Sequence, residues 1–213
     1  IWLVIKVYNF SNIIVYMINQ LSIVLFAYLV GSISSGIIIS RIFSLPDPRT
    51  MGSKNPGATN VMRTGNKKAA VLTLLGDLLK AIFVLFIANY LGFEGFIIIY
   101  VSLAVLIGHI FPVFYKFRGG KGVATAVGIL FALNFKLALV VICIWLFVFL
   151  IWRYSSLAAI FASISAPFIG FFILKDTSLN CVTYIIVTMI ILITHQKNIK
   201  NLLSGKELKF EKK

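Results

Sequence analysis

The side chains that could do chemistry lie in four short polar segments of an otherwise apolar chain. One of these segments reads Gly-Gly-Lys-Gly and directly precedes an apolar stretch that begins at Val123. Backbone N–H groups of a glycine-rich turn can surround an anion, a lysine adds a positive charge, and the start of a helix favours the same ligand. A helix break with basic residues at a membrane surface would leave the same pattern. We predict a phosphate-binding loop formed by Gly119, Gly120, Lys121 and Gly122.

Two further segments precede this loop. Arg49 begins a stretch rich in Gly, Asn and Pro that runs to Asn60, which is typical of a loop with exposed N–H groups. A guanidinium binds phosphate bidentately, so we predict that Arg49 and Asn55 contact substrate, although a solvated basic loop fits equally well. Ser32 lies in the small-residue run 31–36, which either allows close helix packing or presents a hydroxyl to a substrate.

The fourth segment follows the last apolar stretch and contains His195, Asn198 and Glu207. Residues three apart share a helix face, so His195 and Asn198 lie together if the helix continues beyond the membrane. A histidine there can accept a proton near neutral pH, although an interfacial histidine is also common without any function. We expect His195 and Asn198 to be catalytic and Glu207 to be a structural partner of a basic residue.

Two charged residues, Asp77 and Lys80, lie inside an apolar stretch, three positions apart. Charges within a membrane are costly and usually pair, so we predict a structural ion pair. The two cysteines, Cys143 and Cys181, have no metal-binding spacing and are expected to be buried apolar residues. We predict neither a metal nor a cofactor.

The elements that must position these side chains are membrane helices. Of the 213 residues, 60% are hydrophobic and 12% are charged, whereas soluble domains are about 45–50% apolar. A soluble fold of this length cannot bury so much apolar surface, which excludes a soluble enzyme, a disordered chain and a disulfide scaffold. The net charge of +14 then indicates anionic lipid or an anionic substrate rather than nucleic acid.

Seven apolar stretches predict an all-α polytopic membrane protein with seven transmembrane helices. The fourth stretch is short and could be re-entrant. The predicted spans are Ile18–Ile42, Ala69–Leu91, Gly95–Tyr115, Val123–Leu133, Leu137–Trp152, Leu157–Leu174 and Leu179–Thr194.

The distribution of basic residues predicts the orientation. Seven crossings with the N-terminus outside leave only Lys6, Lys136 and Lys175 on the outer face, whereas six crossings would divide the basic residues almost evenly. The positive-inside rule therefore favours seven spans, an outer N-terminus, a cytoplasmic C-terminus and a cytoplasmic site. We predict an N-terminal extension over residues 1–16, one membrane domain over 17–207 and a basic cytoplasmic tail over 208–213.

Physical arguments alone leave an enzyme and a carrier of organic anions both open. The four polar segments, however, resemble motifs of the bacterial membrane glycerol-3-phosphate acyltransferases that use acyl phosphate as donor. The matching stretches are Ala27–Gly36, Met51–Ala70, Gly108–Ala126 and His195–Glu207, in order and at family spacing. The chain departs from the usual family pattern at Ser34, Lys54 and Asn201.

The resemblance implies transfer of an acyl group from acyl phosphate to glycerol 3-phosphate, which gives lysophosphatidic acid and phosphate in the first step of phospholipid synthesis. It implies that Ser32 and Arg49 are the essential residues of the family's first motif, and that residues 119–122 form its phosphate loop. It also implies a bacterial cytoplasmic membrane protein, and we expect a monomer whose partners are its two substrates and the bilayer.

Overall fold

The computed structural model describes the backbone of residues 2–210 and the side chains from residue 13 to residue 210, and each regular element in this part of the chain is helical. A 3₁₀ turn (Val113–Tyr115) follows α5 and a π-helical turn (Ile169–Ile173) follows α8. The α-helices are α1 (Trp2–Gly31), α2 (Ser35–Ile42), α3 (Ala58–Met62), α4 (Lys67–Tyr90), α5 (Phe96–Ile110), α6 (Val123–Leu133), α7 (Phe135–Trp152), α8 (Ser155–Phe168), α9 (Ser178–Thr194) and α10 (Gln196–Leu203).

The prediction of an all-α polytopic membrane protein is confirmed. In the described part of the chain, 5 helical segments are long and apolar enough to cross a bilayer, and the number rises to 6 if α9 and α10, which meet at 60°, count as one span. The predicted fourth span, α6, has only 11 residues, whereas a straight crossing needs about 20. The count of seven spans and the orientation therefore stay predictions.

The two ends of the chain differ in detail from the sequence-based expectation. The helix α1 runs without a break from Trp2 to Gly31, so it joins the predicted extension to the first span. At the other end, Phe210 lies against the helical body, because its N–H donates to the Arg153 carbonyl at 2.9 Å and its ring is 5.7 Å from that of Phe149. The rest of the predicted tail, residues 211–213, and Ile1 lie outside the described residues.

Local side chains determine where the long helices begin. Asn66 accepts a hydrogen bond from the Ala69 N–H at 2.9 Å, and Asn134 accepts one from the Leu137 N–H at 3.1 Å. These contacts satisfy N–H groups that a helix cannot satisfy internally, and Asn134 also separates two apolar stretches that hydropathy alone could merge. Pro112, which cannot continue a helix, follows the end of α5.

Glycines allow the central helices to cross closely. A Cβ on Gly31 would lie 2.3 Å from the Val105 carbonyl oxygen, and a Cβ on Gly108 would lie 2.3 Å from the Tyr28 oxygen. Small residues at such crossings allow the van der Waals contact that joins helices in lipid, where water provides no driving force. The outward faces carry large apolar side chains such as Leu150, which is 72% exposed and suited to lipid.

We expect Gly108→Val to lower the melting temperature of the protein in detergent, because the added atoms must separate α1 from α5. Overpacking of this kind costs about 1–3 kcal/mol. Ile107→Val is the matched control, since Ile107 is 40% exposed and points away from the crossing. Equal melting temperatures for the two variants would contradict the close approach of these helices.

Candidate active site

A cavity of about 480 Å³ is lined by α4, α6, α7, α8 and α9. Its longer part is apolar and opens toward the lipid-facing surface, where Val71 and Leu74 are about half exposed. Its other end lies where α9 stops and the glycine-rich loop begins, and it is polar. The predicted site residues found at this end are Asn55, Lys121, Gly122, His195, Asn198 and Glu207.

A chain of hydrogen bonds joins three separate parts of the sequence at the polar end. The Lys121 ammonium donates to Asn198 Oδ1 at 2.7 Å, and Asn198 Nδ2 donates to Glu207 Oε1 at 2.7 Å. Glu207 Oε1 also accepts from Ser156 Oγ at 2.6 Å. The hydrogen-bond partners of Glu207 among the described side chains are an amide and a hydroxyl, while its negative charge acts on the nearby Lys121 and Arg63. Its role as a structural partner of a basic residue therefore stays a prediction. This chain fixes Lys121 and Asn198 relative to each other.

His195 lies at the junction of α9 and α10, beyond the last residue of the membrane helix. Its Nδ1 is 2.8 Å from the Ile191 carbonyl oxygen. A carbonyl can only accept, so Nδ1 carries the proton and Nε2 keeps a lone pair that can take up another. Burial, with a smaller contribution from the nearby Lys121 charge, lowers the pKa of His195 to about 4. The imidazole is therefore neutral at physiological pH.

The charges at the polar end of the cavity favour an anion. Lys121 and Arg63 line this end, and Glu207 is the one carboxylate among the described residues of the lining. Burial lowers the pKa of Lys121 and of Arg63, because each cation has lost part of its hydration. A bound phosphate would replace that lost hydration. No group of three His, Cys, Asp or Glu side chains within residues 13–210 is arranged to hold a metal ion.

The loop between α2 and α4 owes its shape to a buried asparagine that the sequence analysis did not single out. Asn60 is only 2% exposed. Its Oδ1 accepts from the Ser53 N–H at 2.9 Å, and its Nδ2 donates to the Pro48 oxygen at 2.7 Å and to the Met51 oxygen at 3.1 Å. These bonds hold the loop in the conformation in which Asn55 reaches the cavity.

The glycine-rich loop does not form the predicted backbone anion site in this structure. The N–H groups of Gly119 and Gly120 already donate to the Ile110 and His109 carbonyls, each at 3.1 Å, and neither glycine lines the cavity. Close packing explains why these positions are glycine, because a Cβ on Gly120 would lie 2.1 Å from His109 Nε2. Only the Lys121–Gly122 half of the loop reaches the site.

Ser32 and Arg49 lie apart from the other predicted site residues. The Ser32 hydroxyl donates to the Tyr28 carbonyl at 2.9 Å and is 3.4 Å from the Val113 nitrogen, from which it accepts. The Arg49 guanidinium pairs with Asp47 at 2.7 Å, and this hydrogen bond lowers the pKa of the carboxyl. Neither Ser32 nor Arg49 is among the cavity-lining residues that the structure describes. The expected meeting of Arg49 with Lys121 and His195 is therefore not seen.

Three side chains at the cavity were not singled out from the sequence: Arg63, His109 and Ser156. Arg63 lies just after the Gly-, Asn- and Pro-rich stretch that ends at Asn60, so the composition of that stretch does not point to it. Ser156 directly precedes the predicted span that begins at Leu157, and it does not lie in a glycine-containing run such as the one around Ser32. His109 lies in an apolar run, where its contacts depend on helix packing that sequence spacing does not reveal.

Residues 21–205 match the model of a family described as glycerol-3-phosphate acyltransferase. A curated glycerol-3-phosphate acyltransferase of Methylobacillus flagellatus is 46% identical over 195 residues, which is 92% of this chain and 99% of the relative. One of Nitrosomonas eutropha is 46% identical over 190 residues, which is 87% of this chain and 94% of the relative.

The fold is also similar to that of two crystal structures of PlsY (YgiH), an integral membrane glycerol 3-phosphate acyltransferase. The glycerol 3-phosphate form superposes with a TM-score of 0.85 at 40% identity, over 91% of this chain and 96% of that chain. The lysophosphatidic acid form gives a TM-score of 0.83 at 39% identity over the same shares.

We expect the wild type to lose stability, relative to a His195→Gln variant, as the pH falls from about 7 to about 4. Because the folded pKa of about 4 lies below the usual value of about 6.5, the unfolded chain binds this proton first. The stabilisation is complete above pH 6.5 and is lost toward pH 4, a change of about 3 kcal/mol. Melting temperatures in detergent across this range measure it, and parallel curves for the two proteins would contradict a buried neutral imidazole.

Proposed function

Since the chain belongs to the glycerol-3-phosphate acyltransferase family, we propose that it transfers a fatty acyl group from acyl phosphate to the 1-hydroxyl of glycerol 3-phosphate. The products are lysophosphatidic acid and inorganic phosphate, and the reaction is the first step of phospholipid synthesis. The observation that carries this proposal is a single cavity that has two cations and a neutral histidine at one end and an apolar, lipid-facing part at the other. The acyl phosphate needs both kinds of surface, whereas glycerol 3-phosphate needs only the polar end.

The two substrates together bring two phosphate groups to the polar end. We assign Lys121 and Arg63 to their neutralisation, because these cations face one carboxylate and are poorly hydrated. Asn55 and Asn198 supply neutral donors, and the bond from Lys121 to Asn198 sets the separation of two of these groups. Prearranged donors of this kind lower a barrier because they need no reorganisation during the reaction.

The chemical step is a direct displacement. The glycerol hydroxyl oxygen bonds to the acyl carbon, the bond from that carbon to the phosphate oxygen breaks, and phosphate leaves with the electron pair. The hydroxyl proton passes to His195 Nε2 or to the departing phosphate. Substrate binding strengthens His195 as a base, because the anions offset the Lys121 charge that helps to lower its pKa. The donor is a mixed anhydride, so no covalent enzyme intermediate is needed.

The acyl chain lies along the apolar part of the cavity in this proposal. Leu130, Val141, Trp145 and Ala162 line it, and Val71 and Leu74 border its lipid-facing side. Because the chain comes from the bilayer rather than from water, its binding energy there arises from van der Waals contact with these side chains. The same binding energy orients the reacting carbonyl toward the polar end.

We further propose that the protein acts as a monomer in the bacterial cytoplasmic membrane with its site facing the cytoplasm. The polar end of the cavity lies beside the loops that carry most of the basic residues, and such loops favour the cytoplasmic side. In this orientation, glycerol 3-phosphate enters the site from the cytoplasm.

We expect the purified protein in detergent to release phosphate when both glycerol 3-phosphate and an acyl phosphate are supplied. His195→Ala should lower kcat by at least about 100-fold, the usual effect of losing a general base. Lys121→Ala should raise the glycerol 3-phosphate KM by about 10-fold or more, since a charged hydrogen bond is lost.

Arg118→Ala is the matched control, because it removes one positive charge from the same loop at an exposed position outside the cavity. Its kinetic constants should stay within about twofold of the wild type, as for other surface substitutions. Wild-type turnover by His195→Ala would remove this side chain from the mechanism. Absence of phosphate release by the wild type would contradict the proposed function.

Ser32 and Arg49 remain proposed site residues on the family resemblance alone, because their side chains are engaged with Tyr28 and Asp47. If Arg49 binds phosphate when substrate is present, Arg49→Ala should lower kcat/KM by about 10-fold or more. Arg41→Ala, at an exposed position in the last turn of α2, is the control. Equal kcat/KM values for the two variants would restrict Arg49 to its ion pair with Asp47.

A further inference from the structure

An imidazole that the proposed mechanism does not use lies against a buried ion pair. Asp77 and Lys80 approach to 3.0 Å inside the helical bundle, and the Lys80 ammonium is 2.9 Å from His109 Nδ1. All three side chains are at most 8% exposed. Ion pairs are expensive inside a membrane protein, and well-packed apolar side chains can provide equal stability. The cluster therefore needs an explanation beyond stability.

The hydrogen bonds of the ammonium determine which nitrogen of His109 carries the proton. Lys80 has three N–H groups, and three acceptors surround it: the Ile33 carbonyl at 2.8 Å, Asp77 Oδ1 at 3.0 Å and His109 Nδ1 at 2.9 Å. Since each N–H has one acceptor, Nδ1 accepts and the proton of the neutral ring is on Nε2. Lys80 thus fixes both the tautomer and the orientation of the ring.

The ring is the surface on which the glycine-rich loop rests. A Cβ added to Gly120 would lie 2.1 Å from His109 Nε2 and 2.9 Å from Cε1, so the backbone of Gly120 is in direct contact with the imidazole. The Gly120 N–H also donates to the His109 carbonyl at 3.1 Å. The next residue is Lys121, whose ammonium enters the cavity and binds Asn198.

We propose that His109 is a positioning residue that sets the location of the Lys121 ammonium through the contact between its ring and Gly120. Asp77 and Lys80 act one step further away, because they hold the ring in one orientation. This inference rests on the proposed function only in assuming that Lys121 binds the phosphate of glycerol 3-phosphate. It explains why Gly120 is glycine although its N–H is not available to an anion.

A double-mutant cycle between His109→Asn and Gly120→Ala tests the contact. Asparagine retains an acceptor for Lys80 but lacks the ring atoms that an alanine at position 120 would strike. Gly120→Ala alone should lower kcat/KM for glycerol 3-phosphate by about 100-fold, since it displaces Lys121. His109→Asn alone should raise KM by about tenfold with little change in kcat. The kcat/KM of the double variant should be at most about tenfold below that of the wild type, because the ring that an alanine at position 120 would strike is absent.

Gly119→Ala is the matched control. Its Cβ would lie 2.1 Å from the His109 carbonyl oxygen and 2.7 Å from the Ile110 oxygen, which are backbone atoms that His109→Asn leaves in place. The fold-losses in kcat/KM caused by Gly119→Ala and by His109→Asn should therefore multiply in the double variant. Those caused by Gly120→Ala and by His109→Asn should not.

Two results would overturn the inference: multiplying effects at positions 109 and 120, or a KM for His109→Asn equal to that of the wild type. Loss of folded protein is distinguishable, because it lowers the apparent kcat and leaves KM unchanged. If the wild type itself transfers no acyl group, the proposed function fails, and the cycle is then measured as the rise in melting temperature that glycerol 3-phosphate causes. The contact would still be supported if the effects on the binding constant multiply for positions 109 and 119 but not for positions 109 and 120.

Discussion

A charge that leaves water for a lipid-facing bundle must find its partners within the protein. This constraint explains most of the polar architecture of the chain. The ammonium of Lys80 has an acceptor for each of its three N–H groups, and that of Lys121 reaches an asparagine held by a carboxylate. The two lysines differ in one respect: the first is enclosed among helices, whereas the second faces a cavity that could admit an anion.

This difference assigns a structural role to Lys80 and leaves Lys121 able to bind a ligand. An ammonium whose N–H groups all have protein acceptors has no capacity left for a ligand, so its contribution is to orient what surrounds it. Lys121 is bonded to one neutral oxygen only among the described contacts, and the nearby Arg63 adds a second positive charge. The site is thus electrostatically incomplete until a negatively charged molecule occupies it.

The sequence alone predicts those helices whose limits are set by nearby residues. Apolar stretches predicted α4 and α7 to within two residues, since hydropathy and an asparagine cap act over a few positions. It does not predict contacts between residues that only the folded chain brings together. Nothing in the spacing of residues 119–122 shows that two of the glycine N–H groups are consumed by carbonyls, and nothing near Glu207 indicates that Asn198 and Ser156 are its partners. Arg63 was overlooked because its value depends on where α3 directs the chain.

The lipid-facing border of the cavity affects how molecules in the bilayer can reach it. Val71 and Leu74 leave the apolar part of the cavity beside the bilayer rather than beneath a closed wall. A molecule with a hydrocarbon tail can slide sideways between leaflet and protein without its tail ever meeting water, whereas a small hydrophilic molecule needs an aqueous approach to the polar end. Two compounds of opposite solubility can thus meet in one chamber although neither enters the other's solvent.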